Sequence, residues 1–302
     1  MMKIAVVGAN SYIARNLICL MSKNPKIYDY FLYDCQDDHA DGVLPYTKID
    51  ILNMDDVEKI NFKCDLLFMF TGKTGIINGF EETDLFLNVN EHALLNILNA
   101  HRQHESKAKI IFPSTRLVYQ GSHGKLGESA QKEFKSVYAI NKYACEQYLR
   151  LYQNVYCVPY CIFRICVPYG TLVEQASSYG TAEFMLSKAK SGQNITLYGD
   201  GRGRRTLIYI EDLCRLLLMC AGMKECLNDV FNIGGEDYSL LEMANLIAKI
   251  YNVDIKFVPW PELALRTESG STVFDSEKIE KIIGKFSYRR FEDWCQSEYR
   301  VI

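Results

Sequence analysis

The sequence predicts an α/β fold: a Rossmann-like, doubly wound parallel sheet followed by a smaller C-terminal α/β substrate lobe. Short, continuous apolar runs alternate with segments of helical periodicity, a glycine turn joins the first run to the first helical segment, and an acid ends the second run. The predicted strands are residues 3–8, 28–34, 46–51, 65–72 and 108–115. The main predicted helices are residues 10–17, 55–60, 84–104 and 136–152.

The turn between the first predicted strand and the first predicted helix resembles a phosphate-binding site. Gly8, Ser11 and Ala14 follow the spacing Gly-x-x-Gly-x-x-Gly, with the second and third glycines replaced. Exposed amides at the N-terminus of the following helix suit a pyrophosphate, although Ser11 narrows the approach to it. The cofactor contacts predicted in this turn are Gly8, Asn10, Ser11, Tyr12 and Ile13.

The second strand ends in Asp34, about one β-α-β unit after the glycine turn. A carboxylate at this place accepts hydrogen bonds from the ribose hydroxyls of an adenosine and repels a 2′-phosphate. Asp37 and Asp38 follow closely, with no arginine nearby. These acids favour NAD over NADP.

Ligands of such sheets bind beyond the carboxyl ends of the strands. The strand ends carry Gly8, Asp34, Asp50, Gly72 with Lys73, Thr115 and the segment 164–170. Tyr138 and Lys142 lie four residues apart in a helical segment, so their side chains share a face. We expect the ammonium of Lys142 to lower the pKa of the Tyr138 phenol, and Thr115 to share a proton with that phenol.

Composition narrows the classes of function. The 302 residues carry a formal charge of −3, which makes nucleic acid a poor choice of partner. The eleven cysteines form no Cys-x-x-Cys pair and the five histidines do not cluster, so no metal site is predicted. The N-terminal apolar run is too short for a signal peptide and no run reaches the length of a membrane span, which leads us to expect a cytoplasmic protein without a membrane partner.

Nearly the whole chain resembles one family. The matching positions are Gly8, Ser11, Ala14, Asp34, Asp50, Ile51, Asn90, Ser114, Thr115, Val118, Tyr119, Tyr138, Lys142 and Arg164, and then the segments 197–201, 205–212, 231–235 and 239–244. In order and spacing these residues resemble the extended short-chain dehydrogenase/reductases, specifically the NAD-dependent nucleotide-sugar epimerase/dehydratase branch.

The resemblance implies a bound NAD and a nucleoside-diphosphate sugar as substrate. Tyr138 would be the proton-transferring base, Lys142 would bind the nicotinamide ribose, and Thr115 would orient the reacting hydroxyl. The further cofactor contacts would be Asp50 and Ile51 at the adenine, with Gly72, Lys73 and Asn90 on the same side of the crevice. The further substrate contacts would be Arg205 and Arg266 at the diphosphate, with Tyr179 and Tyr198 lining the pocket.

Two departures from the family pattern select among its reactions. Dehydratases carry Asp-Glu directly after the threonine, whereas this chain has Arg116-Leu117, and related 3,5-epimerase/reductases carry a cysteine where Arg116 stands. Epimerisation through a transient ketosugar and reduction of a 4-ketosugar by NAD(P)H need neither group. Asp34 indicates NAD as the cofactor, and NAD favours the epimerase over the reductase. The epimerase would act at C4. A non-catalytic NAD-binding sensor is a third interpretation, because Ser11, Gln120 and Val167 also depart from the family. The intact Thr115, Tyr138 and Lys142 argue against it.

We expect an NAD-binding domain over residues 1–168, to which the chain returns near 206–232, and a nucleotide-sugar-binding lobe over residues 169–302. By analogy with relatives, helices 84–104 and 136–152 would form the interface of a homodimer. Cell-surface polysaccharide synthesis is the usual setting of such relatives.

Overall fold

The computed structural model describes residues 1–174 and 180–299. Its strands are β1 (Met2–Val7), β2 (Tyr28–Asp34), β3 (Tyr46–Lys48), β4 (Leu66–Met69), β5 (Lys109–Thr115), β6 (Tyr160–Ile165), β7 (Val167–Tyr169), β8 (Ile195–Tyr198), β9 (Arg204–Tyr209), β10 (Asp229–Asn232), β11 (Glu236–Ser239) and β12 (Ile255–Val258). Its α-helices are α1 (Tyr12–Ser22), α2 (Met54–Val57), α3 (Ile77–Glu81), α4 (Thr83–Leu87), α5 (Ala93–Gln103), α6 (Val137–Tyr156), α7 (Thr181–Lys190), α8 (Ile210–Gly222), α9 (Leu240–Tyr251), α10 (Glu262–Thr267), α11 (Glu277–Ile283) and α12 (Phe291–Tyr299).

Seven strands form the central sheet, in the order β10-β6-β5-β4-β1-β2-β3, and every neighbouring pair is parallel. The strand order reverses direction between β1 and β4, which opens a crevice at their carboxyl ends. Alternate residues of β1 enter opposite cores. Ile4 and Val6 pack into the core that includes α1 and α8, while Ala5 and Val7 pack into the core that includes α5 and α6. The prediction of a doubly wound parallel sheet is therefore confirmed.

The predicted helix over residues 84–104 is a continuous helical segment with one irregularity. Between α4 and α5, residues Asn88–His92 form a π-helical turn. Such turns occur mostly at functional sites, because the extra residue changes the direction of neighbouring side chains. The predicted strand 46–51 is shorter than expected, since β3 ends at Lys48 and the chain turns at Asp50.

Beyond β6 the chain builds two smaller sheets, one with the order β11-β9-β7 and one that pairs β12 with β8. Helix α8 then packs against α1, and β10 adds to β6, so the chain returns to the large sheet over residues 210–232. Strand β9 belongs to the three-stranded sheet. Across residues 1–174 and 180–299, the structure has no helix with both the length and the apolar character needed to cross a membrane.

Candidate active site

The turn between β1 and α1 brings backbone very close to backbone. Gly8 has a φ of +86°, and a Cβ atom there would lie 2.5 Å from the amide nitrogen of Thr71, so the position accepts only glycine. Ser11 precedes α1 as its N-cap residue, but its side chain does not cap the helix. Among the described residues the buried Ser11 hydroxyl has no hydrogen-bond partner. An unpartnered hydroxyl at a helix N-terminus fits a phosphate oxygen of a dinucleotide.

Asp34 lies beside this turn at the end of β2. Its Oδ2 accepts a hydrogen bond from the Asn10 amide at 2.9 Å, and its Oδ1 accepts one from the Cys35 amide at 2.7 Å. The Asn10 side chain donates to the Asp38 carbonyl at 3.0 Å and accepts from the Ala40 amide at 2.8 Å, which fixes the loop after β2. Because each carboxylate oxygen accepts more than one hydrogen bond, the partly exposed Asp34 retains capacity for ribose hydroxyls.

Asp50 and Ile51 form the turn that follows β3. The Asp50 carboxylate accepts a hydrogen bond from the Leu52 amide at 2.9 Å. The side-chain amide of Asn96, on α5, donates to the Ile51 carbonyl at 3.0 Å. Asn96 was not predicted as a site residue. Its position on the predicted helix was the only feature of the sequence that could have indicated this contact.

The π-helical turn places Asn90 against the loop after β4. Its Oδ1 accepts a hydrogen bond from the Lys73 amide at 2.7 Å, and its Nδ2 donates to the Lys73 carbonyl at 3.2 Å. A Cβ atom at Gly72 would lie 3.1 Å from the Asn90 oxygen and 3.7 Å from the Lys142 ammonium. Gly72, Lys73, Asn90 and Lys142 therefore meet at one point of the crevice.

Thr115 and Tyr138 come together from β5 and α6. Thr115 ends its strand, and its hydroxyl accepts a hydrogen bond from the Leu117 amide at 3.2 Å. Helix α6 begins after Ser136, whose hydroxyl accepts from the Ala139 amide at 3.2 Å and so holds Tyr138 in the first turn. The Thr115 hydroxyl lies close enough to the Tyr138 phenol for hydrogen bonding to lower the pKa of the phenol. This contact joins the predicted orienting residue to the predicted base.

Lys142 lies one turn further along α6 and is buried. Its ammonium is 4.5 Å from the ring centre of Phe112 and 6.0 Å from the ring centre of Tyr138. Burial lowers the pKa of Lys142 to about 8. Its proton is therefore held less tightly than that of a lysine in water.

The pKa of Tyr138 differs from the sequence expectation. Burial raises the pKa of the phenol to about 12, against smaller lowering effects of the hydrogen bond with Thr115 and the positive charge of Arg116. The expectation that Lys142 lowers the pKa of Tyr138 is wrong for the protein by itself, because desolvation of the phenolate outweighs the effect of nearby positive charge.

A cavity of about 160 Å³ lies in the second half of the chain. Its lining includes Tyr198, Arg205, Leu240, Trp260, Leu265 and Glu268. The rings of Tyr198 and Trp260 are 5.3 Å apart at 38°, so one side of the cavity is aromatic. The sequence reasoning missed Trp260. The feature of the sequence that could have indicated Trp260 was that the chain has only two tryptophans.

Arg205 is buried at the edge of this cavity. Its Nη1 donates to the Gly270 carbonyl at 2.6 Å, and its Nη2 donates to Glu268 Oε1 at 2.5 Å. Arg266 does not join it, since the Arg266 side chain is 73% exposed on α10 and pairs with Glu262. The other substrate residue predicted from the sequence, Tyr179, lies outside the described residues.

Arg116 lies close enough to both Tyr138 and Arg205 for its charge to act on each. Its Nη1 donates to the Thr272 hydroxyl at 3.0 Å. Burial and the neighbouring charge of Arg205 lower the pKa of Arg116 to about 9, while the charge of Glu268 raises it. The side chain is therefore still a cation at neutral pH. From the sequence, Arg116 was considered only as the replacement of a dehydratase acid and of a reductase cysteine.

Curated relatives match this chain along most of their length. The chain is 27% identical over 293 residues to the CDP-paratose 2-epimerase of Salmonella typhi, covering 85% of this chain and 86% of that protein. It is 26% identical over 252 residues to a putative UDP-glucose 4-epimerase of Methanocaldococcus jannaschii, covering 81% of each. Both relatives are named as epimerases of nucleotide sugars.

A solved structure shows the same fold. The UDP-glucose 4-epimerase of Thermus thermophilus, solved as a complex with NAD, superimposes with a TM-score of 0.85 at 20% identity and covers 99% of both chains. A sequence profile of the NAD dependent epimerase/dehydratase family matches residues 4–234. The chain belongs to the NAD dependent epimerase/dehydratase family.

Proposed function

We propose that the protein epimerises a nucleoside-diphosphate sugar at C4, with NAD as a cofactor that stays bound. The observation that carries this proposal is that Thr115, at the end of β5, and Tyr138, in the first turn of α6, come together with Lys142 one helical turn away. Arg116 and Leu117 stand where a dehydratase carries its acids. This set can move a proton at a sugar hydroxyl but lacks the acids for the elimination of water.

The residues around the glycine turn suit a dinucleotide. The Ser11 hydroxyl and the first amides of α1 would bind the pyrophosphate, and Asp34 would accept hydrogen bonds from the adenosine ribose. Lys73 and Asn90 would hold the loop beside the nicotinamide half. When bound, NAD would supply the acceptor of a hydride and a positive charge that favours the phenolate form of Tyr138.

In the proposed reaction the Tyr138 phenolate would take the proton of the C4 hydroxyl, and bound NAD would supply the acceptor for the hydride that leaves the same carbon. Thr115, which lies close to the phenol, would hold the sugar hydroxyl in line. The resulting 4-ketosugar turns over in the pocket, and the hydride returns to its opposite face. The proton would then return from Tyr138 to the sugar oxygen. Because the sugar also recovers its hydride, no cofactor would be consumed.

The substrate would lie between Tyr138 and the cavity at Arg205. A planar guanidinium binds phosphate oxygens at two points, and the rings of Tyr198 and Trp260 provide an apolar wall against which a nucleobase can pack. In this proposal NAD is held by residues 1–168 together with the segment near 206–232 that returns to the large sheet. The nucleotide sugar is held by the rest of residues 169–302. The two curated relatives are named for CDP- and UDP-linked sugars, which supports this class of substrate.

The expected homodimer is also part of the proposal. Helices α4 and α6 expose large apolar side chains, namely Leu85, Leu87, Ile140, Leu151 and Val155, with exposed fractions between 37% and 57%. Exposed apolar residues on neighbouring helices favour association. Sedimentation equilibrium would test this, and replacing Leu151 and Val155 by lysine should then give a monomer.

The first test is a sugar panel followed by proton NMR. The protein would be incubated with UDP-, GDP-, CDP- and dTDP-hexoses, with and without added NADH or NADPH. We expect a C4 epimer to appear without net consumption of cofactor. Reduction of 4-keto-6-deoxy sugars by the added cofactor would instead show a reductase, and inversion at another carbon would correct the position. Bound NAD without any turnover would favour the sensor.

The second test is the base itself. Tyr138→Phe removes the phenolic proton site, so we expect turnover to fall by about 10²-fold or more while NAD stays bound. Tyr143→Phe is the matched control, because Tyr143 lies on the same helix and packs against Phe134. Full activity of Tyr138→Phe would rule out the proposed mechanism.

A further inference from the structure

Arg116 is a cation without a carboxylate of its own. Within residues 1–174 and 180–299, no carboxylate lies within ion-pair distance of it, and its side chain hydrogen-bonds to Thr272 through Nη1. Its Nε and Nη2 are not engaged by this contact. Guanidinium groups in partly buried positions usually have carboxylate or phosphate partners, because an unpaired charge loses hydration.

The surroundings add positive charge and little negative charge. Arg205 is close enough to Arg116 to lower its pKa, and Glu268, a carboxylate that acts on Arg116, is bonded to Arg205. The ammonium of Lys135 also approaches this segment and donates to the Glu268 carbonyl at 2.9 Å. Two guanidiniums and one carboxylate leave an excess positive charge, which an anionic ligand would neutralise.

The position of Arg116 indicates which part of a ligand that anion belongs to. Arg116 directly follows Thr115, and its charge acts on the Tyr138 phenol, which is the reacting end of the crevice. Arg205, in contrast, lines the cavity with the aromatic wall, where Arg116 is not among the lining residues. Arg116 therefore faces the sugar, whereas Arg205 faces the nucleotide.

We propose that Arg116 binds a carboxylate on the sugar, so that the substrate is an acidic nucleotide sugar such as a nucleoside-diphosphate hexuronate. This inference rests on the proposed function, since it assumes a sugar next to Tyr138. The free Nε and Nη2 of Arg116 form the two-point donor set that matches the two oxygens of a carboxylate. Thr272 keeps the guanidinium in place from the other side.

The test uses pairs of sugars that differ only at C6. Isothermal titration calorimetry on the protein with saturating NAD would compare UDP-glucuronate with UDP-glucose and GDP-mannuronate with GDP-mannose, and would include UDP and GDP alone. In at least one pair, we expect the acid to bind tenfold or more tightly than the neutral sugar. Arg116→Gln should bring this affinity ratio close to one, and Thr272→Val should give an intermediate ratio because the cation is kept but is less firmly positioned.

Two further variants keep the test decisive. Arg116→Lys retains the charge and should retain part of the affinity ratio between the acidic and the neutral sugar. This variant replaces Arg116→Gln in the test if Arg116→Gln lowers the melting temperature too far. Arg215→Gln removes an exposed arginine of α8 that pairs with Glu211, and should leave the ratio unchanged.

Three results would overturn the inference while leaving the proposed function intact. They are equal affinity within both pairs, a ratio that Arg116→Gln does not change, and a loss in Arg116→Gln that is equally large for UDP or GDP alone, which would assign Arg116 to the diphosphate. If no nucleotide or sugar nucleotide binds at all, the proposed function falls as well.

Discussion

The Arg164 guanidinium and the Glu146 carboxylate form a two-point ion pair inside the protein, with nitrogen–oxygen distances of 2.9 and 2.6 Å. Arg164 lies on β6 and Glu146 on α6, and both are almost completely buried. Ser114 donates to the same carboxylate at 2.5 Å, and Arg164 also donates to the Tyr119 hydroxyl at 2.7 Å. The network therefore ties the helix that carries the proposed base to the two strands beneath it.

We expect Arg164→Met to lower the free energy of unfolding by about 3–5 kcal/mol, because it leaves the Glu146 carboxylate buried without its counter-ion. The double variant Glu146→Leu/Arg164→Met should lose less than Arg164→Met alone. Lys281→Met, which breaks an exposed pair with Glu277, is the control and should cost less than about 1 kcal/mol. Urea denaturation measures all three. An equal loss in the single and double variants would contradict the ion-pair explanation.

Asn90→Ala tests the π-helical turn. The substitution removes both hydrogen bonds to the Lys73 backbone, so the loop after β4 must be ordered by the ligand itself. We expect NAD to bind about tenfold more weakly, which corresponds to roughly 1.4 kcal/mol. Asn99→Ala is the control, since Asn99 lies on the adjoining α5 and accepts a hydrogen bond from Tyr152. Equal NAD affinity in both variants, measured by fluorescence titration, would remove Asn90 from the cofactor site.

The lowered pKa of Lys142 predicts a pH dependence of stability. Between about pH 8 and 10.5 the unfolded chain holds a proton at this lysine that the folded protein has released, so stability rises with pH across that window. The Tyr138 phenol makes stability fall with rising pH, but only above its pKa of ~10 in the unfolded chain, because its pKa in the folded protein is raised to about 12. Measurements should therefore stop at about pH 10.

We expect the stability of the wild-type protein relative to Lys142→Met to increase by on the order of 2–3 kcal/mol from pH 7 to pH 10. Lys256→Met, which removes an exposed lysine of β12, should show no such increase. The comparison needs only denaturation curves at several pH values. A flat difference for Lys142→Met would mean that its ammonium is solvated in the folded protein.

Local patterns in the sequence were enough to predict the sheet. Apolar runs and the glycine turn depend on neighbouring residues, which is why the strands, the Gly8 turn and the helical face shared by Tyr138 and Lys142 could be anticipated. Contacts between distant parts of the chain could not. Arg116 meets Thr272 across 156 residues, and Arg205 meets Glu268 across 63.

Burial was the other quantity that the sequence did not provide. The spacing of Tyr138 and Lys142 suggested that charge decides the pKa of the phenol, but desolvation is larger and depends on every element packed around it. Arg266 illustrates the same limit. Its motif resembled a diphosphate site, whereas its place on the exposed face of α10 follows from tertiary packing.

Glu268 competes with any phosphate for the guanidinium of Arg205. Its Oε1 accepts a hydrogen bond from Arg205 Nη2 at 2.5 Å, and its carboxylate repels a second anion. We therefore expect Glu268→Gln to raise the affinity for a nucleoside diphosphate by about tenfold, and Arg205→Gln to lower it by at least as much. Titration calorimetry with UDP, CDP, GDP and dTDP would measure both effects.

The matched controls for this prediction are Glu262→Gln and Arg266→Gln, which break an exposed pair of the same type on α10. Because that pair is solvated, neither change should alter the affinity for a diphosphate by more than about twofold. A large loss in Arg266→Gln would restore the role predicted for it from the sequence. Weaker binding in Glu268→Gln would show that Glu268 orients Arg205 toward the phosphate instead of competing with it.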